Sequence, residues 1–129
     1  MMLALRHGPS IMAGLIRNVS GGGKETDDMK SLIRYKTKPE SAEENQRLVE
    51  KVYEELAARD PGGIRYATLR LEDGVSFVHI FMTDSDDTPN TMGGIAAFAE
   101  FQRELAERCV ELPVAQAVTV VGSYRLLSD

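Results

Sequence analysis

The chain has 129 residues, 43% of them hydrophobic, and a formal net charge of −5. That length suits one domain, and the acidic balance excludes a general nucleic-acid binder, which needs a clustered basic surface against phosphate. The single cysteine, Cys109, excludes an internal disulfide and a multi-cysteine metal site and suits a reducing cytoplasm, while no apolar run approaches the ~18 residues of a membrane helix.

In chain order, residues 1–24 carry Arg6, Arg17 and Lys24 and no acid, then pass through the flexible composition Ser20-Gly21-Gly22-Gly23. Residues 1–28 read as a disordered leader or a mis-assigned start, with a basic targeting peptide as the weaker alternative. Gly21 to Glu25 can be encoded by a purine-rich stretch resembling a ribosome-binding site. Met29 follows it at a suitable distance, so the expected native start is Met29 and the expected domain is 29–129.

Leu32 to Thr37 reads as a strand, rich in β-branched and aromatic residues and ended by Pro39. Ser41 and Glu44 form the sequence pattern of a capping box. Apolar Leu48, Val49, Val52, Tyr53 and Leu56 then recur at helical spacing until Asp60-Pro61-Gly62-Gly63 stops the helix.

Ile64–Glu72 and Val75–Thr83 are strand-like runs joined by Asp73-Gly74, the pattern of a tight type I′ hairpin. A two-residue turn sets Arg70 opposite Phe77, Thr68 opposite His79 and Tyr66 opposite Phe81. One face of the hairpin is then aromatic and polar. The other is aliphatic, with Ala67, Leu69, Leu71, Val78, Ile80 and Met82.

Asp84–Gly94 reads as a loop. Ile95–Glu111 reads as a second helix with Phe98, Phe101, Leu105 and Cys109 along its buried stripe, broken by Pro113. Ala117–Tyr124, with Val118, Val120 and Val121, reads as the last strand.

The order strand, helix, strand, strand, helix, strand predicts an α+β fold. It is a ferredoxin-like βαββαβ unit with a four-stranded antiparallel sheet and both helices on one face. Right-handed crossovers put the first and third strands in the middle. Both sides of the third strand are too apolar for water, so the open face is expected to meet a second copy about a two-fold axis. Composition does not say which face that is.

Leu32 to Lys38, the capped helix, the hairpin and Phe98-Ala99-Glu100-Phe101-Gln102 followed by a valine-rich strand resemble the dimeric α+β barrel proteins. Among these they resemble the antibiotic-biosynthesis-monooxygenase-like domains. The resemblance spans ~95 residues of pattern. It implies a homodimer with a pocket between sheet and helices. It also implies either a cofactor-independent monooxygenase acting on a quinol or polycyclic phenol, or a non-catalytic ligand-binding or structural dimer. Heme-degrading relatives use a tryptophan and a helix-borne histidine. This chain has no Trp, and its second helix has no His.

Among the residues themselves, His79 is the candidate catalytic group, because an imidazole titrates near neutrality. Tyr66, Arg70, Phe77 and Phe81 share its predicted face and would bind an aromatic substrate. Arg34 and Tyr35 point to opposite faces of the first strand, so only one can join His79. Arg34 is the candidate for an anionic substrate group, against a plain inter-strand ion pair. Tyr53 reads as core, and Cys109 as a small buried hydrophobe. Asp84, Asp86 and Asp87 lack the closing glutamate of a calcium loop, and Gly93-Gly94 lacks the context of a phosphate loop. No metal and no cofactor is expected. The expected partners are a second copy and a small aromatic molecule, with no nucleic acid and no membrane.

Overall fold

The computed structural model describes residues 30–84 and 91–126. The chain runs β1 (Lys30–Thr37), α1 (Ala42–Arg59), β2 (Ile64–Arg70), β3 (Ser76–Thr83), α2 (Ala96–Arg103), a single turn α3 (Leu105–Arg108) and β4 (Cys109–Ala117). Turns of 3-10 helix lie at Pro39–Ser41 and Thr91–Gly94. The strands form one antiparallel sheet in the order β2-β3-β1-β4, so the first and third are central as expected. The expected leader, and Asp86 and Asp87, lie outside the described residues.

The hairpin keeps its predicted register: Tyr66 faces Phe81, Thr68 faces His79 and Arg70 faces Phe77. Its turn differs from expectation. Only Gly74 has positive φ there (81°), and Leu71 N–H reaches Ser76 O at 2.9 Å across a wider loop. The Asp73 carboxylate explains the change, since it accepts from Val75 N, Ser76 N and Ser76 Oγ at 2.9, 2.8 and 2.6 Å. A side chain that ties down the amides after it favours this open loop over a type I′ turn.

The Ser41–Glu44 capping box does not form, because Ser41 closes the 3-10 turn and makes no side-chain cap. Helix α1 stops where expected, at Asp60 in the left-handed region (φ 48°), followed by Gly62 and Gly63 at positive φ.

The second half departs most from the sequence pattern. The expected helix 95–111 ends early, and β4 occupies 109–117 rather than 117–124. Pro113 therefore lies inside a strand. It is tolerated because β4 is an edge strand and its register slips by one residue there, with Arg34 opposite Val114 and Lys36 opposite Glu111. Cys109 begins this strand opposite Thr37, half-buried, instead of ending a helical stripe. Helix α2 has no cap of its own at Ile95. Instead the Glu55 carboxylate of α1 accepts from Ala96 N at 3.2 Å and Ala97 N at 2.8 Å.

The aromatic face of the sheet meets the helices. Ile33, Tyr35, Phe77 and Phe81 pack against Val49, Val52, Phe98, Phe101 and Leu105, all nearly or fully buried. Each such side chain contributes ~1.5–3 kcal/mol on burial. The opposite face carries Leu32, Arg34, Ala67, Leu69, Val78, Ile80 and Val114, with Leu69 51% and Val114 61% exposed. Among the described residues no helix is long and apolar enough to cross a membrane.

Candidate functional site

His79 sits mid-strand in β3 with none of its surface exposed. Alternation along the strand aims it, with Phe77 and Phe81, at the helices. Both ring nitrogens are engaged: Nε2 lies 2.9 Å from Tyr35 Oη, and Nδ1 lies 2.7 Å from Tyr66 Oη and 3.3 Å from Thr68 Oγ1. The contacts extend on both sides. Asn45 Nδ2 donates to Tyr35 Oη at 2.8 Å, and Arg108 Nε donates to Asn45 Oδ1 at 2.9 Å. Arg108 Nη2 also reaches Phe101 O at 2.6 Å. On the other side Thr68 Oγ1 is 2.7 Å from Tyr53 Oη.

Burial decides the protonation of this chain of groups. It pushes the His79 pKa down to about 3, so the imidazole is neutral at physiological pH. It pushes Tyr53 up to about 12, and holds Tyr35 and Tyr66 well above the ordinary phenol value. Desolvation lowers Arg108 from its ordinary value, and raises the Cys109 thiol to about 11, far from a reactive thiolate.

A cleft of about 290 Å³ opens beside this network, between α1 and the β2–β3 hairpin. Gln46, Val49, Glu50 and Tyr53 line it from the helix, and Thr68, Arg70 and Phe77 from the sheet. Arg70 is held at its mouth. Arg70 donates to Gly74 O at 2.8 Å, Gln46 Oε1 at 2.6 Å and Glu43 Oε2 at 3.1 Å, with its guanidinium 5.6 Å from the Phe77 ring centre.

The structure thus brings together His79, Tyr66, Arg70, Phe77 and Phe81 on one face, but in two layers. Arg70 and Phe77 line the cleft. His79 and Phe81 lie wholly within the core, and Tyr66 bridges the layers, packed 5.3 Å from the Tyr53 ring. Arg34 is not with them. It is exposed on the opposite face, because strand alternation gives the inner position to Tyr35. Asp84 pairs with Arg65 at 3.1 Å, and no metal-binding cluster of acidic, His or Cys side chains occurs among the described residues.

Sequence reasoning missed Asn45 and Arg108, and favoured a core ring over a ligand contact for Tyr53, which packs on the core and also lines the cleft. Asn45 left a signal, being a polar residue in helical phase with Val49 and Val52. Such a residue on a buried stripe needs partners. Arg108 left none, since its position depends on the early end of the second helix.

No family model matches the chain, and no curated protein matches it. Solved structures do. A "putative antibiotic biosynthesis monooxygenase" from Caulobacter crescentus CB15 superposes with a TM-score of 0.59 at 19% identity, covering 75% of this chain and 92% of that one. Rv0793 from Mycobacterium tuberculosis superposes with a TM-score of 0.59 at 13% identity, covering 76% and 98%. At these identities the likeness is one of fold. The chain has the ferredoxin-like α+β fold of antibiotic-biosynthesis-monooxygenase-like structures.

Proposed function

We propose that the protein is a small-molecule-binding homodimer that holds a quinol or polycyclic phenol in the cleft between α1 and the hairpin, and acts on it as a cofactor-independent monooxygenase. One observation carries this reading: Tyr53 and Thr68 line the cleft, share a 2.7 Å hydrogen bond, and connect through Thr68 to the buried His79. The ring of Phe77 offers a stacking surface and the Arg70 guanidinium an anion-stabilising charge at the mouth. Tyr66 and Phe81 support the site from behind, and Arg34 has no part in it. His79 acts through the hydroxyls as a positioning residue, since it has no surface for substrate to touch.

The reaction needs no external reductant. A phenol loses its O–H and a ring C–H hydrogen, and dioxygen is the oxidant. One oxygen atom becomes the second quinone oxygen, and the other leaves as water with both hydrogens. The phenol releases its O–H proton to solvent water, and hydrogen bonds to its oxygen favour the resulting phenolate, the electron-rich form that reacts with dioxygen. The departing oxygen takes up two protons as it leaves as water.

The open sheet face supports the dimer, as Leu32, Leu69, Val78, Ile80 and Val114 form an apolar surface with the helices already on the other side. The activity is proposed in keeping with the shared fold of a structure named a "putative antibiotic biosynthesis monooxygenase". A half-buried, unreactive lone cysteine is consistent with a cytoplasmic location.

Saturation of both His79 nitrogens by protein hydroxyls favours the second reading, a ligand-binding dimer without turnover. One experiment separates the two. A panel of quinols, polycyclic phenols and heme is screened by calorimetry, and oxygen uptake is followed for each compound that binds. Uptake that falls at least tenfold in Thr68→Val, with binding of heme absent, supports the monooxygenase. Binding without uptake for every phenol leaves the non-catalytic reading.

A further inference from the structure

We propose that the hydrogen bonds from Arg108 through Asn45, Tyr35 and His79 to the Tyr53–Thr68 pair all run in one direction, so that the cleft presents a hydrogen-bond donor. It would then select ligands that offer an acceptor oxygen, a quinone carbonyl or a phenolate. The location of the ligand rests on the cleft reading above. The direction rests on this chain's own donors and acceptors.

The direction is fixed at one end by chemistry that allows no choice. A guanidinium has only donors. Arg108 Nε faces Asn45 at 2.9 Å, so the amide must turn its oxygen to Arg108 and its NH2 to Tyr35. Tyr35 Oη therefore already accepts from Asn45. Its own hydrogen is directed at the remaining neighbour, His79 Nε2, 2.9 Å away. The neutral imidazole has one N–H, and with Nε2 accepting, that hydrogen sits on Nδ1.

Nδ1–H then donates to Tyr66 Oη at 2.7 Å, with Thr68 Oγ1 a secondary acceptor at 3.3 Å. Tyr66 keeps its own hydrogen, which passes to Thr68 Oγ1, its side-chain hydrogen-bond partner. Thr68 then donates to Tyr53 Oη at 2.7 Å, and the Tyr53 hydrogen is left spare. Both residues line the cleft, and the Tyr53 hydrogen is the donor left for a ligand there.

The opposite tautomer fails the same count. With hydrogen on Nε2, both Asn45 and His79 would donate to Tyr35, and the Tyr35 hydrogen would lose the acceptor it has. A hydrogen buried without an acceptor loses the bonds it makes with water and is destabilising. Aligned hydrogen bonds also polarise one another, with the Arg108 charge at the donor end strengthening the series. Tyr53, pushed up to about 12 by burial, keeps its proton at neutral pH. On this reading Arg108 and Asn45 are positioning residues that act through His79.

The test reads the tautomer directly. Nitrogen-15 NMR of the imidazole in the full-length protein, with His7 assigned through His7→Gln, is expected to show Nδ1 protonated and Nε2 bare. A wild-type His79 protonated on Nε2 would overturn the proposal, and this readout needs no variant to fold and no ligand to bind. Asn45→Asp puts a carboxylate against Tyr35, draws the Tyr35 hydrogen to it, and is expected to move the His79 proton to Nε2. The ligand arm uses 1,4-naphthoquinone, which can only accept. Its affinity by calorimetry should fall about tenfold in Asn45→Asp, the loss of one hydrogen bond. Unchanged affinity alongside a switched tautomer would overturn the acceptor selectivity. If neither this quinone nor any phenol binds while Nδ1 carries the proton, the direction stands and the cleft reading is what fails.

Discussion

At the scale of single residues, His79 behaves as a packed polar core group rather than an exposed base. Removing it with His79→Ala strands the hydroxyls of Tyr35 and Tyr66 and opens a cavity between Phe101 and the sheet. The expected loss is about 3–5 kcal/mol of folding stability, read as a lower midpoint in urea denaturation. Loss of activity in this variant would therefore not identify a catalytic base. Thr68→Val is the better probe, since it removes one hydroxyl at near-constant volume.

The buried imidazole also sets an acid limit. Its folded pKa of about 3 lies below the ordinary value of 6.5, so the unfolded chain binds the proton more readily. Stability is complete above pH 6.5 and is lost as pH falls toward 3, by about 1.4 kcal/mol per unit. Carboxylates held below their ordinary values by hydrogen bonds, Asp73 and Glu55, add to the loss only further down, below their ordinary range near pH 4. Urea midpoints between pH 7 and 5 isolate the histidine. A flat profile there would mean that His79 protonates freely in the folded state.

At the scale of elements, two side chains do what local backbone rules would assign to caps and turns. Glu55 caps a helix distant in sequence, and Asp73 holds the hairpin loop open. Glu55→Ala should weaken the docking of α2 on α1, seen as faster hydrogen exchange at Ala96 and Ala97. Gly74 has positive φ with open space where a Cβ would go, so Gly74→Ala meets backbone strain and no clash. Its expected cost is about 1 kcal/mol by denaturation, with ligand affinity unchanged.

The elements also show what was legible in the sequence. Alternation and the Asp-Gly signal fixed the hairpin register, and with it the shared face of Tyr66, Thr68, Arg70, Phe77, His79 and Phe81. The turn type escaped because it depends on where one carboxylate points. The last strand escaped because Pro113 reads locally as a helix stop. Its place in a slipped edge strand is set by pairing with β1, which lies far away in sequence. A pocket between sheet and helices was expected, with Arg70 and Phe77 in it, but the place of Tyr53 in its wall escaped for a similar reason. Tyr53 is in phase with a core stripe, and only the packing of α1 on the hairpin separates a ring in the core from a hydroxyl at a cleft wall.

For the whole molecule, the sheet has the helices on one side and an apolar surface on the other. The inner face is the aromatic one, which resolves the choice that composition left open. The outer face, with Leu69 and Val114 near its two edges, is the surface proposed to meet a second copy. Light scattering should give twice the chain mass at micromolar concentration, and the double variant Leu69→Asp, Val114→Asp should halve it. A wild-type monomer at that concentration would contradict the dimer.

A ligand is proposed to sit in the cleft between α1 and the β2–β3 hairpin. The most direct measurement is chemical-shift mapping of the labelled protein titrated with the phenols and quinones of the panel. The expected result is saturable shifts concentrated at Gln46, Tyr53, Thr68, Arg70 and Phe77, with smaller shifts carried through to His79. Shifts confined to the open sheet face, or none for any compound, would contradict it.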